Sequence, residues 1–206
     1  MNIIEVTNLN FNFESQKIYE NLNFSIQKGQ KVALKGISGS GKSTLFNILL
    51  GFLPVENASI KMFGENLSSE NINEIRSKTS WLPQQVDIHY STVKELFYSP
   101  FELKQNKKFK PTLIEVENIF NKVDLEISLL DKNFNEISGG QKQRIVICSL
   151  LLLKKDIFLL DEPTSALDDN SIEKVFELIY SQKDTTFIYA THNNYWIQKS
   201  DLIIKV

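Results

Sequence analysis

From residue 3 to residue 34, polar and apolar side chains alternate along the chain. Leu9, Phe11 and Phe13 follow this alternation, and a second stretch repeats it up to Ile26. An apolar residue at every second position is typical of a β-strand with one buried face. The pattern therefore predicts a small antiparallel β-sheet in the N-terminal part of the chain.

Three short runs, at residues 32–34, 157–160 and 187–190, are almost entirely apolar. Strands that are buried on both faces of a parallel sheet have this composition. A glycine-rich loop and a helical pattern over 42–53 follow the first run, and a second helical pattern over 171–182 separates the other two. This order of elements predicts an α/β core built on a parallel sheet.

The middle of the chain lacks a strong strand pattern, but helically spaced apolar residues lie between Leu113 and Val123. We predict a mostly helical insert there, belonging to the same domain as the core. The predicted parts of the single domain 1–206 are about 1–84 and 137–206, the core with its β-rich edge, and about 85–136, the helical subdomain.

The composition is that of a soluble globular domain: of 206 residues, 42% are hydrophobic and 23% are charged. The formal net charge of -2 provides no net attraction to nucleic acid, so we expect no nucleic-acid partner. The longest apolar stretch, 145–153, is far shorter than the roughly 20 residues that a membrane-spanning helix needs. Since no secretory pattern is visible, we expect a cytoplasmic location. Cys148, the single cysteine, is expected to be a core residue.

A glycine-rich phosphate loop lies between the first predicted buried strand and the helix that follows it. Its sequence is Gly36-Ile37-Ser38-Gly39-Ser40-Gly41-Lys42-Ser43, followed by Thr44, and it matches the pattern G-x-x-x-x-G-K-[ST]. Glycines let backbone N–H groups turn toward phosphate oxygens, and the start of a helix adds positive potential. Lys42 is expected to reach the β and γ phosphates, and the Ser43 hydroxyl to hold Mg²⁺. A plain glycine turn before an amphipathic helix would match this spacing only by chance.

The apolar run at 157–160 ends in two carboxylates, Asp161 and Glu162. Asp161 is expected to help hold Mg²⁺ through water, and Glu162 to orient and deprotonate an attacking water molecule. A strand that ends in acidic residues is also common in purely structural contexts. The phosphate loop more than a hundred residues earlier favours the catalytic interpretation.

The sequence Ser138-Gly139-Gly140-Gln141 opens a helix that continues through Arg144 into an apolar run. Ser138 is a suitable N-cap, so an ordinary capped core helix is one interpretation. A glycine in the first turn, however, lowers helix stability by roughly 1 kcal/mol relative to alanine. A second anion-binding site, made from the exposed N–H groups, explains the pair of glycines better.

Together, and in their order along the chain, these motifs resemble the ATP-binding cassette (ABC) family, and the resemblance spans nearly the whole chain. Residues 138–141 are similar to the family's signature, with Ile137 where leucine is usual. The resemblance implies an α/β fold: a P-loop NTPase core with a parallel sheet, an antiparallel β edge subdomain and a helical signature subdomain. It also implies two nucleotides held in a head-to-tail homodimer, in which the signature of one copy contacts the γ-phosphate bound to the other.

Three further positions match functional residues of the family. Gln84 matches the glutamine that senses Mg²⁺ and the γ-phosphate, with Gln85 as a near rival. His192 matches the switch histidine that contacts the γ-phosphate, although a lone histidine after a strand is more often structural. Asp168 matches the loop that passes signals across the dimer.

Phe13 occupies the place where the family usually stacks an aromatic residue on adenine, and core packing is the competing interpretation. His89 has no such match, and we expect it to be structural or to face a partner.

The predicted site comprises Glu162 and His192 for catalysis; Phe13, Gly36, Ser38, Gly39, Ser40, Gly41, Lys42, Ser43, Thr44 and Gln84 for ATP; Ser138, Gly139, Gly140 and Gln141 for the ATP of the other copy; Asp168 for signalling; and Ser43, Gln84 and Asp161 for Mg²⁺.

The resemblance implies an ATP hydrolase that uses ATP and Mg²⁺ and energises a membrane transporter. Because the chain holds one cassette and no transport path, a transmembrane permease is the expected partner, with the chain peripheral on the inner face of the cell membrane. A soluble ABC ATPase, such as an iron–sulfur cluster assembly ATPase, is the alternative. Side chains near Trp81, Ile88, Tyr90, Phe97 and Tyr98 are expected either to be exposed in a groove for the permease's coupling helix or to pack inside the helical arm.

Overall fold

The computed structural model describes residues 1–14, 16–55, 58–84 and 90–206, so that Gln85, Ile88 and His89 lie outside the described residues. The strands are β1 (Asn2–Phe13), β2 (Gln16–Gln27), β3 (Lys31–Lys35), β4 (Ser59–Met62), β5 (Glu65–Asn66), β6 (Thr79–Leu82), β7 (Ile157–Asp161), β8 (Thr186–Ala190) and β9 (Leu202–Lys205). The α-helices are α1 (Lys42–Leu49), α2 (Ile72–Lys78), α3 (Val93–Tyr98), α4 (Leu113–Asn121), α5 (Gly139–Leu151), α6 (Asp169–Tyr180) and α7 (Asn194–Lys199). Within the described ranges, no helix has the length and apolar character needed to cross a bilayer.

The N-terminal sheet is antiparallel, with strand order β2-β1-β4-β5, which confirms the prediction from alternating side chains. β1 and β2 form a long pair that runs from Asn2 opposite Gln27 to Phe13 opposite Gln16. The buried face of this sheet shares one hydrophobic cluster with α1. The sheet is therefore packed against the core next to the start of α1.

The second sheet is parallel, with strand order β6-β7-β8-β3-β9. The three apolar runs form its central strands β3, β7 and β8, and every residue of β7 and β8 is buried, as predicted. In a parallel sheet the carboxyl ends of all strands meet at one edge. The glycine loop after β3 and the carboxylates at the end of β7 therefore lie at the same edge.

Local capping decides where the helices begin and end. α1 begins at Lys42 as expected but ends at Leu49 instead of near residue 53, because Gly51 adopts a left-handed conformation with φ +67°. α6 begins two residues earlier than predicted, because the Asp168 side chain accepts a hydrogen bond from the Ser171 N–H at 2.8 Å.

The region from residue 90 to residue 136 is helical, as predicted, with α3, α4 and short 3₁₀ turns. It shares one hydrophobic cluster with α5, α6, β7 and β8. Ser149 on α5 donates a hydrogen bond to the carbonyl of Phe97 on α3 at 2.6 Å. Val116 and Phe120 on α4 are fully buried, but Leu113, the first residue of this helix, is 63% exposed. The helical region is thus joined to the core through α5.

Phe97 is fully buried, so of the two predicted alternatives it packs inside the helical arm and does not belong to an exposed groove. Its ring packs edge-on against Phe120, with ring centres 5.4 Å apart, because α3 turns this side toward α4. Trp81 and Tyr90 are half-buried and line a cavity of about 460 Å³ between β6, α3 and α5. A groove therefore exists at this position, but without Phe97.

Candidate active site

The glycine loop joins β3 to α1 at the carboxyl edge of the parallel sheet. Gly39 and Gly41 have φ values of +81° and +106°, which residues with side chains rarely adopt. Gly41 is also tightly enclosed, since a Cβ there would lie 2.5 Å from Ile18 Cγ2 and 2.7 Å from the Tyr19 hydroxyl oxygen. That hydroxyl donates a hydrogen bond to the Gly41 carbonyl. β2 therefore holds the loop at the point where α1 begins.

Lys42 opens α1, and its ammonium group turns back into the loop. Nζ donates hydrogen bonds to the carbonyls of Gly36 and Ile37, both at 3.0 Å, and only 7% of the residue is exposed. Nε2 of His192 lies 3.4 Å from the same nitrogen. Since carbonyls stabilise an ammonium group without neutralising it, the charge of Lys42 is available to an anion bound in the loop.

Two carboxylates, the buried Asp161 and the half-buried Glu162, stand at the end of β7. Burial raises the pKa of Asp161, while a hydrogen bond from Ser43 and the charge of Lys42 act in the opposite direction. Burial likewise raises the pKa of Glu162, opposed by the nearby His192 and Lys42. A carboxylate with a raised pKa accepts a proton more readily than an exposed one, so either group is suited to act as a base.

Glu162 has an unusual backbone conformation, with φ +48°. A residue with a side chain held in this region costs roughly 1–3 kcal/mol, and such residues cluster at functional sites. Its N–H donates to the carbonyl of Ala190 on β8 at 2.9 Å. Its Oε1 lies 3.4 Å from Nε2 of His192, and the Glu162 side chain is 15% exposed against 56% for His192. The turn therefore aims the carboxylate toward the histidine that follows β8.

These groups line one cavity of about 460 Å³. It brings together the glycine loop, both carboxylates, Gln84 and His192, from segments as far apart in the chain as Ser38 and His192. Gly36 and Ser40 belong to the same loop but are not among the residues that line the cavity. The lining residues are Ser38, Gly39, Gly41, Lys42, Ser43, Thr44, Gln84, Asp161, Glu162, Ser165 and His192.

Phe13 and Asp168 lie outside this cavity. Phe13 is 58% exposed at the end of β1, so the interpretation as a core residue is wrong, and stacking on adenine stays a prediction. Asp168 caps α6, and the hydrogen bond that it accepts from the Ser171 N–H lowers the pKa of its carboxyl. Its predicted signalling role is thus accompanied by a structural one.

Residues 138–141 also lie outside the cavity, at the start of α5, where they form a capping box. Ser138 Oγ accepts from the Gln141 N–H at 3.2 Å, and Gln141 Oε1 accepts from the Ser138 N–H at 3.0 Å. Packing also favours a glycine at position 140, because a Cβ there would lie 2.8 Å from the carbonyl oxygen of Ala166. The glycine thus allows α5 to approach the segment that follows β7.

Sequence reasoning missed Gln143 and Tyr19. Gln143 on α5 donates a hydrogen bond to the carbonyl of Glu162 at 3.0 Å, although the two residues are 19 positions apart. Tyr19 on β2 contacts Gly41, which is 22 positions away. No local pattern marks either residue, because each acts through a contact between separate elements.

A glycine loop between a parallel strand and a helix, with two carboxylates at the end of another central strand, defines a P-loop nucleoside triphosphatase. A model of the family described as ABC transporter matches residues 19–165, well over half of the chain. The chain belongs to the ABC transporter family, which confirms the resemblance seen in the motifs. It is an ATP-binding, ATP-hydrolysing subunit of the kind that energises transport in this family.

Curated relatives and solved structures agree with this assignment. The ergothioneine transport ATP-binding protein EgtV of Helicobacter pylori (strain G27) is 34% identical over 201 residues, covering 96% of this chain and 93% of that protein. The energy-coupling factor transporter ATP-binding protein EcfA of Aster yellows witches'-broom phytoplasma (strain AYWB) is 34% identical over 204 residues, covering 98% and 74%. The structure of cbiO1 from Clostridium perfringens, part of the ABC transporter complex cbiONQ, superposes with a TM-score of 0.76 at 26% identity, covering 93% of this chain and 79% of that one.

Proposed function

We propose that this chain drives a membrane transporter by closing, as a head-to-tail pair of copies, around two molecules of ATP with Mg²⁺. The observation that carries the proposal is the single cavity in which Lys42, Ser43, Asp161, Glu162 and His192 meet. It offers N–H donors, an ammonium group, a hydroxyl, two carboxylates and an imidazole. Phosphoryl transfer to water needs groups of these kinds, because it depends on positioning and on stabilising charge.

The glycine loop and Lys42 hold the triphosphate. Backbone N–H groups of the loop and the start of α1 face the phosphate oxygens, and the Lys42 ammonium, held by two carbonyls, reaches the β and γ phosphates. Thr44, two positions after Lys42, lines the same cavity. Phe13, exposed at the end of β1, stacks on the adenine ring.

The cavity suits Mg²⁺. Ser43, Asp161 and Gln84 all line it and present oxygen atoms, the ligands that Mg²⁺ prefers. Mg²⁺ at such sites keeps several waters and is bound through one or two carboxylates together with the phosphates, so a dedicated all-protein cage is not needed. Among the described residues, no group of three or more His, Cys, Asp or Glu is arranged to hold a metal. When bound, the ion neutralises charge on the phosphate oxygens.

Glu162 acts as the general base. Its carboxylate, whose pKa is raised by burial, accepts a proton from the water that attacks the γ-phosphate. His192 Nε2, which lies 3.4 Å from both the Glu162 carboxylate and the Lys42 ammonium, contacts the γ-phosphate and keeps this geometry. The left-handed turn at Glu162 orients the carboxylate before ATP arrives, so little reorganisation is needed during the reaction.

The second copy completes each site. Residues 138–141 begin a 13-residue helix, and Ser138 and Gly139 are exposed there. The N–H groups at a helix start attract anions. We infer that they contact the γ-phosphate held by the other copy, and that Asp168, exposed nearby, passes the state of one site to the other. Hydrolysis breaks the link that the γ-phosphate makes between the two copies, and the pair reopens.

A transmembrane permease binds at the cavity lined by Trp81 and Tyr90, where Leu103 is 56% exposed. An apolar groove of this kind suits a helix presented by a partner. The chain then lies in the cytoplasm, peripheral on the inner face of the cell membrane. The names of the relatives, which are transport ATP-binding proteins, support this role over that of a soluble ABC ATPase such as an iron–sulfur cluster assembly ATPase.

The test uses Glu162→Gln, analysed by size-exclusion chromatography with light scattering, with and without ATP. We expect a monomer without ATP and a dimer with ATP, because the variant binds ATP but lacks the base. Glu173→Gln is the matched control, since Glu173 is an exposed acid on α6 and the change removes the same charge outside the cavity. Hydrolysis at the wild-type rate by Glu162→Gln would remove Glu162 from this role. A variant that binds ATP and stays monomeric with the permease present would contradict the second phosphate site.

A further inference from the structure

Gln143, on the second turn of α5, links this helix to the segment 162–166 that follows β7. Its Nε2 donates to the Glu162 carbonyl at 3.0 Å and lies 3.4 Å from Ser165 Oγ. Its Oε1 accepts from the Ala166 N–H at 3.0 Å. Only one orientation of the amide makes both 3.0 Å bonds, because a carbonyl only accepts and an N–H only donates. One side chain therefore holds both ends of this segment.

The backbone of Glu162 is held from two sides. Its N–H is bonded to Ala190 on β8 at 2.9 Å, and its carbonyl accepts from Gln143 at 3.0 Å and from the Ser165 N–H at 3.2 Å. A left-handed residue with a side chain persists only where its surroundings hold it. The position of the Glu162 carboxylate thus depends on where Gln143 holds the backbone.

The start of α5 packs against the same segment. A Cβ on Gly140 would lie 2.8 Å from the Ala166 carbonyl oxygen, and one on Gly139 would lie 3.7 Å from Ala166 Cβ. Gln143 lies three positions after Gly140 and four after Gly139, so these three residues share one face of α5. Movement of the start of α5 is therefore transferred to residues 162–166 by direct contact.

We propose that Gln143 is a positioning residue, which couples phosphate binding at the start of α5 to the placement of the Glu162 carboxylate. The proposal rests on the function proposed above, since it takes Glu162 as the base and residues 138–141 as the phosphate site for the other copy. Gln143 itself does not line the ATP cavity. Its effect on rate comes from geometry, because a displacement of about 1 Å at a reacting group can cost roughly 100-fold in rate.

Gln143→Leu removes both hydrogen bonds at similar side-chain size. We expect kcat for ATP hydrolysis to fall roughly 10- to 100-fold, with KM and the Kd for ATP changed by less than about twofold. Gln143→Glu keeps the acceptor for the Ala166 N–H but turns a carboxylate toward the Glu162 carbonyl, and should lose a similar factor. Gln198→Leu, an exposed position on α7, is the matched control and should keep the wild-type rate.

A double variant separates positioning from a general structural role. Because Gln143 acts through Glu162, adding Gln143→Leu to Glu162→Gln should lower the residual rate by less than about twofold, whereas independent effects would multiply. The proposal is overturned by a Gln143→Leu rate within about twofold of wild type, by equal losses with and without Glu162, or by loss of folding in both Gln143 variants. Failure of the proposed function is visible separately, as wild-type hydrolysis by Glu162→Gln alone.

Discussion

Replacing Gly41 by alanine measures how tightly the phosphate loop is built against β2. The new Cβ would lie 2.5 Å from Ile18 Cγ2 and 2.7 Å from the Tyr19 hydroxyl oxygen. Tyr19 has little room to move, because it is buried and its hydroxyl donates to the Gly41 carbonyl. Overpacking of this kind costs roughly 1–3 kcal/mol. The backbone, at φ +106°, adds about 1–2 kcal/mol for a residue with a side chain.

Gly39→Ala is the matched control, because φ is +81° at Gly39 but a Cβ there would meet nothing within 4 Å. This variant has the backbone cost without the steric cost. In a chain of 206 residues, 1 kcal/mol lowers Tm by roughly 2–4 °C. We therefore expect Gly41→Ala to melt about 2–12 °C below Gly39→Ala.

Thermal unfolding followed by circular dichroism, without nucleotide, provides the comparison, and urea unfolding provides the free energies. Adding Gly41→Ala to Ile18→Ala should cost less than adding it to the wild type, since the nearest clash is then removed. Equal melting temperatures for Gly41→Ala and Gly39→Ala would refute the reasoning that β2 encloses the loop at Gly41.

Three further predictions concern nucleotide binding, pH and the partner. Lys42→Ala should weaken ATP binding roughly 10- to 100-fold, since it removes hydrogen bonds from a charged group; an unchanged Kd in a fluorescence titration would contradict this. Because burial raises the pKa of Glu162, ATPase activity should decline on acidification at a pH above the value of about 4.3 for an exposed glutamate. Because this pKa is higher in the folded chain than in the unfolded chain, the charged carboxylate lowers the free energy of unfolding above the folded pKa and has no effect on it below the unfolded pKa. Glu162→Gln should therefore melt at a higher temperature than the wild type at pH 8, by a margin that shrinks toward pH 4. Tyr90→Ala should reduce co-purification with the permease at unchanged circular dichroism, and loss of folding instead would place this side chain in the core.

The chemical groups of the candidate site were predictable because each is set by a contiguous motif. The phosphate loop from Gly36 to Ser43 forms between β3 and α1, as its spacing predicts. Asp161 and Glu162 follow a run of buried residues, and such a run predicts a central strand of a parallel sheet. Parallel strands place their carboxyl ends at one edge, so the meeting of these two motifs also follows from the pattern.

The sequence left open which way several aromatic side chains face. Phe97 and Tyr98 are adjacent aromatic residues on α3, yet Phe97 is fully buried and Tyr98 is half-buried. Phe13 continues the alternation of β1 but is exposed, so only the competing interpretation as a core residue is wrong. The sequence of a helix or strand is the same whichever of its faces points inward. Only the elements that pack against it decide which of its side chains are buried.

By itself, the sequence determined the family, the fold class and the order of the chemical groups, because strands, helix starts and the phosphate loop are formed by neighbouring residues. Tertiary structure alone decided that His192 lies 3.4 Å from both Lys42 and Glu162, and that Gln143 holds the Glu162 carbonyl. These contacts join segments between 19 and 150 residues apart. Their proximity results from the strand order β7-β8-β3 and from the packing of α5 on the segment after β7, neither of which a local pattern encodes.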